Sequence, residues 1–340
     1  MKPDKFVLLS IVLCAIVLAG GLMAYGPSMH RYSADAELEE GFIRISISSS
    51  GADTYSAVVL DNGDYSAPTQ LYIYLDERYG EFFEEAEEAI GLDTLDMEHS
   101  IDQMCRLLKI RGFSSIQICN DEQLRDAMAE DMKGQSSKGL LVMSYALPQN
   151  IYSGTDGCLL FEWIKSGNSL YWMSSPIGMF CHGEDGLVEV ENNQEKFFGK
   201  ECINMTYSDP VLSVIEAGGL TDALCLKWNR TLYGLDTSGL DGASAMGFSH
   251  EGYSSISMVP FGKGMVCVIG GKDDRYQRED AAQTIASGVS CYSNVLEIRS
   301  GSIVRETIEF SLDVPDDAND ILTYISIGGV YVVYGRAIRC

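Results

Sequence analysis

Five residues carry the side chains that nucleophilic catalysis needs: Ser174, Ser175, Cys181, His182 and His250. A hydroxyl or thiol attacks an acyl centre only when a base takes its proton, and histidine is the usual base. Ser174-Ser175 directly follows the apolar run Ser169–Met173. Either hydroxyl would therefore stand at a strand end, where a sharp turn can present it. Cys181 and His182 are adjacent, and neighbours on an extended chain point to opposite sides, so they make a poor dyad without a special turn. His250, in Ser249-His250-Glu251, is the late base available to a serine.

Other chemistries find less support in the residues. The histidines are His30, His99, His182 and His250, and the chain has no CxxC and no HExxH. No metal and no cofactor is expected from such a set. Gly218-Gly219 and the loop Gly270-Gly271-Lys272-Asp273-Asp274 match neither GxxxxGK[ST] nor GxGxxG. Nucleotide binding is not expected, and Asp273, Asp274 and Arg275 read as the start of a helix. Glu84, Glu85, Glu87 and Glu88 read as a solvated helical face, since no DxDxDG loop accompanies them.

The elements that must position these groups change period along the chain. Phe42–Ser48, Tyr55–Asp61 and Gln70–Glu77 alternate apolar and polar residues and predict strands. After an acidic helix over Glu81–Ile90 come a helix at Ile101–Arg111, a strand at Ser115–Cys119, a helix at Asp121–Met132 and a strand at Gly139–Tyr145. A helix at Gly157–Lys165 and the strand Ser169–Met173 continue the alternation, with Asn120-Asp121 at an N-cap position and Gly112 and Gly167 at C-caps. Such alternation predicts βαβ units around a parallel sheet. Beyond residue 180 the pattern loosens. It predicts a short helix near Val211–Glu216, a strand pair at Ser255–Pro260 and Gly264–Ile269 turning at Phe261-Gly262-Lys263, and a helix over Arg278–Ser287. Val295–Arg299, Ser302–Leu312, Ile321–Ile327 and Val330–Ile338 return to period 2.

The segment Leu159–Gly183, LLFEWIKSGNSLYWMSSPIGMFCHG, together with Gly139–Pro148, GLLVMSYALP, resembles the class I glutamine amidotransferase-like fold. Gly264–Ser287, a strand ending in Ile269-Gly270-Gly271 before a helix, resembles its late strand and returning helix. The resemblance covers about residues 95–290. It implies a flavodoxin-like α/β domain with a cysteine on a G-x-C-x-G elbow and a later histidine and glutamate. Gly178-Met179-Phe180-Cys181-His182-Gly183 has one residue too many, and alignment by the preceding strand puts the elbow at Ser174-Ser175. The resemblance therefore implies a domain that lacks the catalytic elbow.

The 340 residues include 49 acidic and 24 basic side chains, a formal net charge of −25. Nucleic acid is excluded as a partner, because its phosphates are bound through Lys and Arg. Hydrophobic residues at 46% and aromatics at 10% are ample for a folded core. Lys2 and Lys5 precede the apolar run Phe6–Tyr25, long enough as a helix to span a bilayer of ~30 Å. An uncleaved signal-anchor over residues 1–26 is the preferred reading, with cleavage near Ala24 or Gly26 the other. It predicts a single-pass plasma-membrane protein whose body lies outside the cytoplasm. Cys181 with Cys202, or Cys291 with Cys340, would then be able to bridge.

The expected organisation is a linker over 27–40, N-terminal strands over 41–78, the α/β domain over 79–292 and C-terminal strands over 293–340. The fold class is α/β: a three-layer parallel-sheet domain inserted between flanking strands that meet in one β-sandwich, plus the transmembrane helix. Two functions follow. The preferred one is a non-catalytic, membrane-anchored surface protein that binds a protein or small molecule at the α/β crevice near Tyr145, Ser174 and Gly270. The alternative is a hydrolase or acyl-transfer enzyme using Ser174, Ser175 or Cys181 with His182 or His250.

Overall fold

The structure, a computed structural model, describes residues 31–75, 97–134, 136–173, 176–205, 213–215, 219–229, 233–270, 275–329 and 331–338. The chain divides into two units, one taking Met1–Asp64, Glu216–Leu226 and Tyr292–Cys340 and the other Tyr65–Ile215 and Lys227–Cys291. The first unit opens with β1 (Tyr32–Glu39), β2 (Phe42–Ser49) and β3 (Ala52–Asp61). In the second unit β4 (Leu71–Tyr74), helix α1 (Met97–Ile110), β5 (Ile116–Cys119), α2 (Asp121–Asp131) and β6 (Gly139–Val142) come first. Next are β7 (Ala146–Pro148), α3 (Leu159–Lys165), β8 (Ser169–Met173), β9 (Phe180–Gly183), β10 (Gly186–Glu189), α4 (Asn193–Phe198), β11 (Ile203–Met205) and β12 (Ser213–Val214). The short helix α5 (Leu220–Ala223) belongs to the first unit, and β13 (Tyr233–Asp236), β14 (Ser244–His250), β15 (Tyr253–Phe261), β16 (Gly264–Ile269) and α6 (Arg275–Ser287) to the second. The first unit closes with β17 (Asn294–Val304), β18 (Thr307–Asp313), β19 (Asp320–Ile327) and β20 (Tyr331–Ile338).

The first unit is antiparallel throughout its described strands. One sheet runs β1-β2-β18 and the other β17-β3-β19-β20. Ile43, Ile45 and Ile47 on alternate positions of β2 are fully buried, in one core with Ala57 and Val59 of β3 and Ile321, Ile325 and Ile327 of β19. The period of two in the isoleucines is what selects this face. Ile45 thus lies in the first sheet and the backbone of Val332 in the second. At the edge, the Arg299 guanidinium stacks 4.7 Å from the Phe310 ring centroid. A charge held over the inner face at an edge strand discourages strand addition there.

The second unit holds a ten-stranded sheet. Its run β5-β4-β6-β8-β16 is parallel, each neighbour pair in that run being parallel. Both faces of β4, β6, β8 and β16 are buried, and these strands read accordingly as continuous apolar stretches such as Leu71–Tyr74 and Gly139–Val142, whereas β5 at the edge leaves Gln117 and Ile118 exposed. Leu124 and Met128 of α2 and Leu160, Trp163 and Ile164 of α3 close the face that carries Tyr72, Tyr74, Leu140, Val142 and Trp172. From β16 onward the sheet turns antiparallel through β15, β13 and β11, with β14 pairing β15 and β12 pairing β14.

Two expectations need correction here. The α/β class with a parallel three-layer domain does not hold, because about half of the large sheet is antiparallel and strands dominate the described residues. Parallel strands need a crossover of a dozen or more residues, whereas β14, β15 and β16 follow one another across tight turns at Glu251-Gly252 and Gly262-Lys263. The single-pass plasma-membrane placement does not stand either. Among the described residues no helix is long and apolar enough to cross a membrane, and the apolar run 6–25 lies outside those residues. The acidic helix expected at Glu81–Ile90 also lies outside them.

Helix α2 is fixed by its first turn. The Asn120 side chain accepts a hydrogen bond from the Gln123 backbone N–H (3.0 Å), and the Gln123 side chain accepts one from the Asn120 N–H (3.1 Å). This capping box satisfies two donors that helix geometry leaves without partners. Asn120→Ala is expected to cost about 1 kcal/mol, read as a lower urea midpoint with an unchanged slope.

Candidate functional site

Beyond the parallel strands lies a small three-stranded sheet, β10-β9-β7. Here β7 runs parallel to β9, with Pro148 opposite His182, and the Gln149 N–H donates to the His182 carbonyl (2.8 Å). β9 and β10 form a hairpin that turns at Glu184-Asp185 between Gly183 and Gly186. Gly186 takes φ +128°, and a side chain on Gly183 would meet Val188 at 3.0 Å, so glycines permit the tight return. The chain thereby sets Gln149 and Asn150 beside His182, Gly183 and Glu184.

These residues, together with Asp121, line a cleft of about 400 Å³. Asp121 opens α2, directly after β5, so the cleft sits at the carboxyl end of the parallel strands. Ligands of open α/β sheets bind at such ends. The Asn150 amide donates to an Asp121 carboxylate oxygen at 2.9 Å and ties the two walls together. His182 is 4% exposed. Its Nδ1 lies 3.3 Å from the hydroxyl of Tyr74, the last residue of β4. The lining offers two carboxylates, two amides and an imidazole, and no lysine or arginine among the described residues. A negative charge on a ligand would meet repulsion there, whereas hydroxyl or ammonium groups would find acceptors.

Of the three residues singled out by type that are described, Cys181, His182 and His250, the structure places His182 on this cleft. Cys181, one position earlier on β9, turns the opposite way into the apolar core, where burial pushes its thiol pKa up. A thiol that resists ionisation is a weak nucleophile. His250 ends β14, is exposed, and lies 3.8 Å from the Glu251 carboxylate. Ser174 and Ser175 lie outside the described residues. Tyr145, just before β7, is buried with φ +58°, a left-handed conformation that costs a tyrosine about 1 kcal/mol or more.

Gln149, Asn150, Asp121 and Glu184 are cleft residues that residue type alone does not mark. Among the described residues, no three His, Cys, Asp or Glu side chains gather to hold a metal ion. Cys181, Cys202 and Cys291 are free thiols, so Cys181 and Cys202 are not bridged, and Cys340 lies outside the described residues.

No family model matches the chain, and no curated protein matches it. Solved structures that it resembles include a cold-adapted β-galactosidase from Rahnella sp. R3 at 16% identity and TM-score 0.39, covering 65% of this chain and 31% of that one. Another is a catalytic mutant of a GH42 β-galactosidase from G. stearothermophilus, at 14% identity and TM-score 0.40, covering 80% of this chain and 41% of that one. A third is a cytoplasmic protein from Salmonella typhimurium, at 7% identity and TM-score 0.35, covering 54% of this chain and 84% of that one. This chain thus spans well under half the length of either β-galactosidase.

The class I glutamine amidotransferase-like assignment is corrected here, since no family model supports it. The sheet gives the physical reason, since its antiparallel half departs from the flavodoxin-like pattern that the resemblance implied. The non-catalytic, membrane-anchored surface protein is corrected as well. No helix among the described residues is long and apolar enough to span a membrane, and the cleft gathers an imidazole and two carboxylates, groups that can transfer protons.

Proposed function

We propose that the cleft is an active site for a small, neutral or cationic, hydroxyl-rich substrate, with His182 as its proton-transfer group and Asp121 and Glu184 as its carboxylates. The observation that carries this reading is the convergence of His182, Asp121, Glu184, Gln149 and Asn150 in one cleft at the carboxyl ends of the parallel strands. Histidine exchanges a proton near neutral pH, and a positioned acid or base supplies about 10²–10⁴-fold in rate. The amides and carboxylates are the partners that hydroxyl groups need when they leave water.

A panel of nitrophenyl glycosides, neutral and amino-bearing, tests the reading. At least one member is expected to be turned over, and His182→Gln is expected to lower kcat by about 10²-fold or more with KM within a few-fold. Turnover of no member, or equal turnover by wild type and His182→Gln, would contradict it.

A further inference from the structure

We propose that Tyr74 is a positioning residue for His182: its hydroxyl donates to Nδ1 and so fixes the neutral imidazole with its proton on Nε2. The inference rests on the reading of His182 as the proton-transfer group of the cleft. Its structural part concerns the two side chains alone. Tyr74 ends β4, is fully buried, and lies with its ring centroid 6.1 Å from that of His182 at a 53° tilt. The Oη to Nδ1 distance is 3.3 Å. Geometry leaves the direction of this bond open, because a hydroxyl both donates and accepts and Nδ1 does either according to tautomer.

Acid–base strength closes it. A phenol O–H, with its ordinary pKa near 10, is a far stronger acid than the N–H of a neutral imidazole. The imidazole nitrogen lone pair is also a far stronger base than a phenol oxygen. The bond is therefore best made with Tyr74 donating and Nδ1 accepting, and the ring proton then stands on Nε2. The bond made at one ring nitrogen sets the protonation state of the other. His182 so arranged gives a proton from Nε2 and holds its ring plane against β4. Tyr72, two residues earlier on the same face of β4, sends its hydroxyl instead to Asp131 (3.2 Å), at the other end of α2. The two tyrosines thus form a matched pair, one facing the site and one facing structure.

Imidazole ¹⁵N spectra of the ligand-free chain, recorded where His182 is neutral, test the proposal directly. Wild type is expected to show the Nε2–H form with a hydrogen-bonded Nδ1. In Tyr74→Phe the Nδ1 resonance is expected to move from its wild-type position, with the Nδ1–H form growing in. Tyr72→Phe, which loses a buried hydroxyl of the same kind, is expected to leave His182 unchanged. An Nδ1–H form in wild type, or an Nδ1 resonance unmoved by Tyr74→Phe, would overturn the proposal. The wild-type spectrum decides even if Tyr74→Phe does not fold. With a turned-over substrate in hand, Tyr74→Phe is also expected to lower kcat about tenfold, the equivalent of one net hydrogen bond, with KM within twofold. Because the spectra need no substrate, their outcome is independent of whether the glycoside panel succeeds.

Discussion

Raising the pH from 4 to 8 is expected to cost wild type on the order of 4 kcal/mol of stability relative to Asp280→Asn. Asp280 lies on α6 and is 3% exposed. Both of its carboxylate oxygens accept from the Lys227 N–H at 2.9 Å, and one also accepts from the Trp228 N–H at 2.7 Å. Burial, outweighing these hydrogen bonds and Lys227 and reinforced by Glu279, pushes its pKa up to about 7 from an ordinary 3.8. Between those two values the folded protein keeps the proton and the unfolded chain has lost it. The unfolded state therefore binds fewer protons, and stability falls as the pH climbs from about 4 through about 7, then levels off. Asparagine keeps an acceptor for the two backbone donors and carries no charge, so the slope disappears. Asp280→Ala leaves those donors without their acceptor and is expected to cost a further ~2–4 kcal/mol even at pH 5. Urea unfolding at several pH values measures all three chains. Parallel curves for wild type and Asp280→Asn would show that Asp280 is not the buried, proton-holding group described.

Gly264→Ala is expected to destabilise the second unit by more than about 3 kcal/mol. Gly264 starts β16, where that strand is laid beside β8, and the Met265 N–H donates to the Asn168 carbonyl at 3.3 Å. A methyl group at Gly264 would overlap the carbonyl oxygens of Asn168 and Ile164. Both are backbone atoms, held by the end of α3 and the entry to β8, so neither moves aside by a rotamer change. Gly252 supplies the contrast. Its φ is +89° but nothing lies within 4 Å of a Cβ there, so Gly252→Ala should cost only about 1–2 kcal/mol of backbone strain. Equal effects of the two substitutions in urea unfolding would mean that the approach of β16 to α3 is looser than described.

What the sequence makes legible is local. The pair Tyr253–Phe261 and Gly264–Ile269 follows from apolar runs around a glycine turn, and α2 from Asn120 and the leucine and methionine spacing behind it. Where local chemistry is quiet, the structure departs. Ser302–Leu312 reads as one strand, yet the chain folds back at Arg305-Glu306 with Arg305 at φ +50°, a turn made without Gly, Asn or Pro. Residues 32–39 read as an acidic spacer, but they form β1, with Ala36 buried and Asp35 and Glu37 outward. Alanine gives too weak an apolar signal to mark such a face. A helix near Val211–Glu216 is replaced by the strand Ser213–Val214, drawn into extended form by pairing with β14. Of the cleft, residue type singles out His182. Gln149, Asn150 and Glu184 are ordinary loop and turn residues, and only the parallel pairing of β7 with β9 gathers them.

The central claim, that this cleft takes a neutral or cationic hydroxyl-rich ligand, is tested most directly by an NMR titration of wild type. The ligands are methyl glycosides, amino sugars and sugar phosphates, and the side-chain signals of Gln149, Asn150 and His182 are followed. The account predicts saturable shifts of all three signals with at least one neutral or amino sugar, and none with the phosphates. A cleft that prefers the sugar phosphates, or signals that no ligand moves, would contradict it.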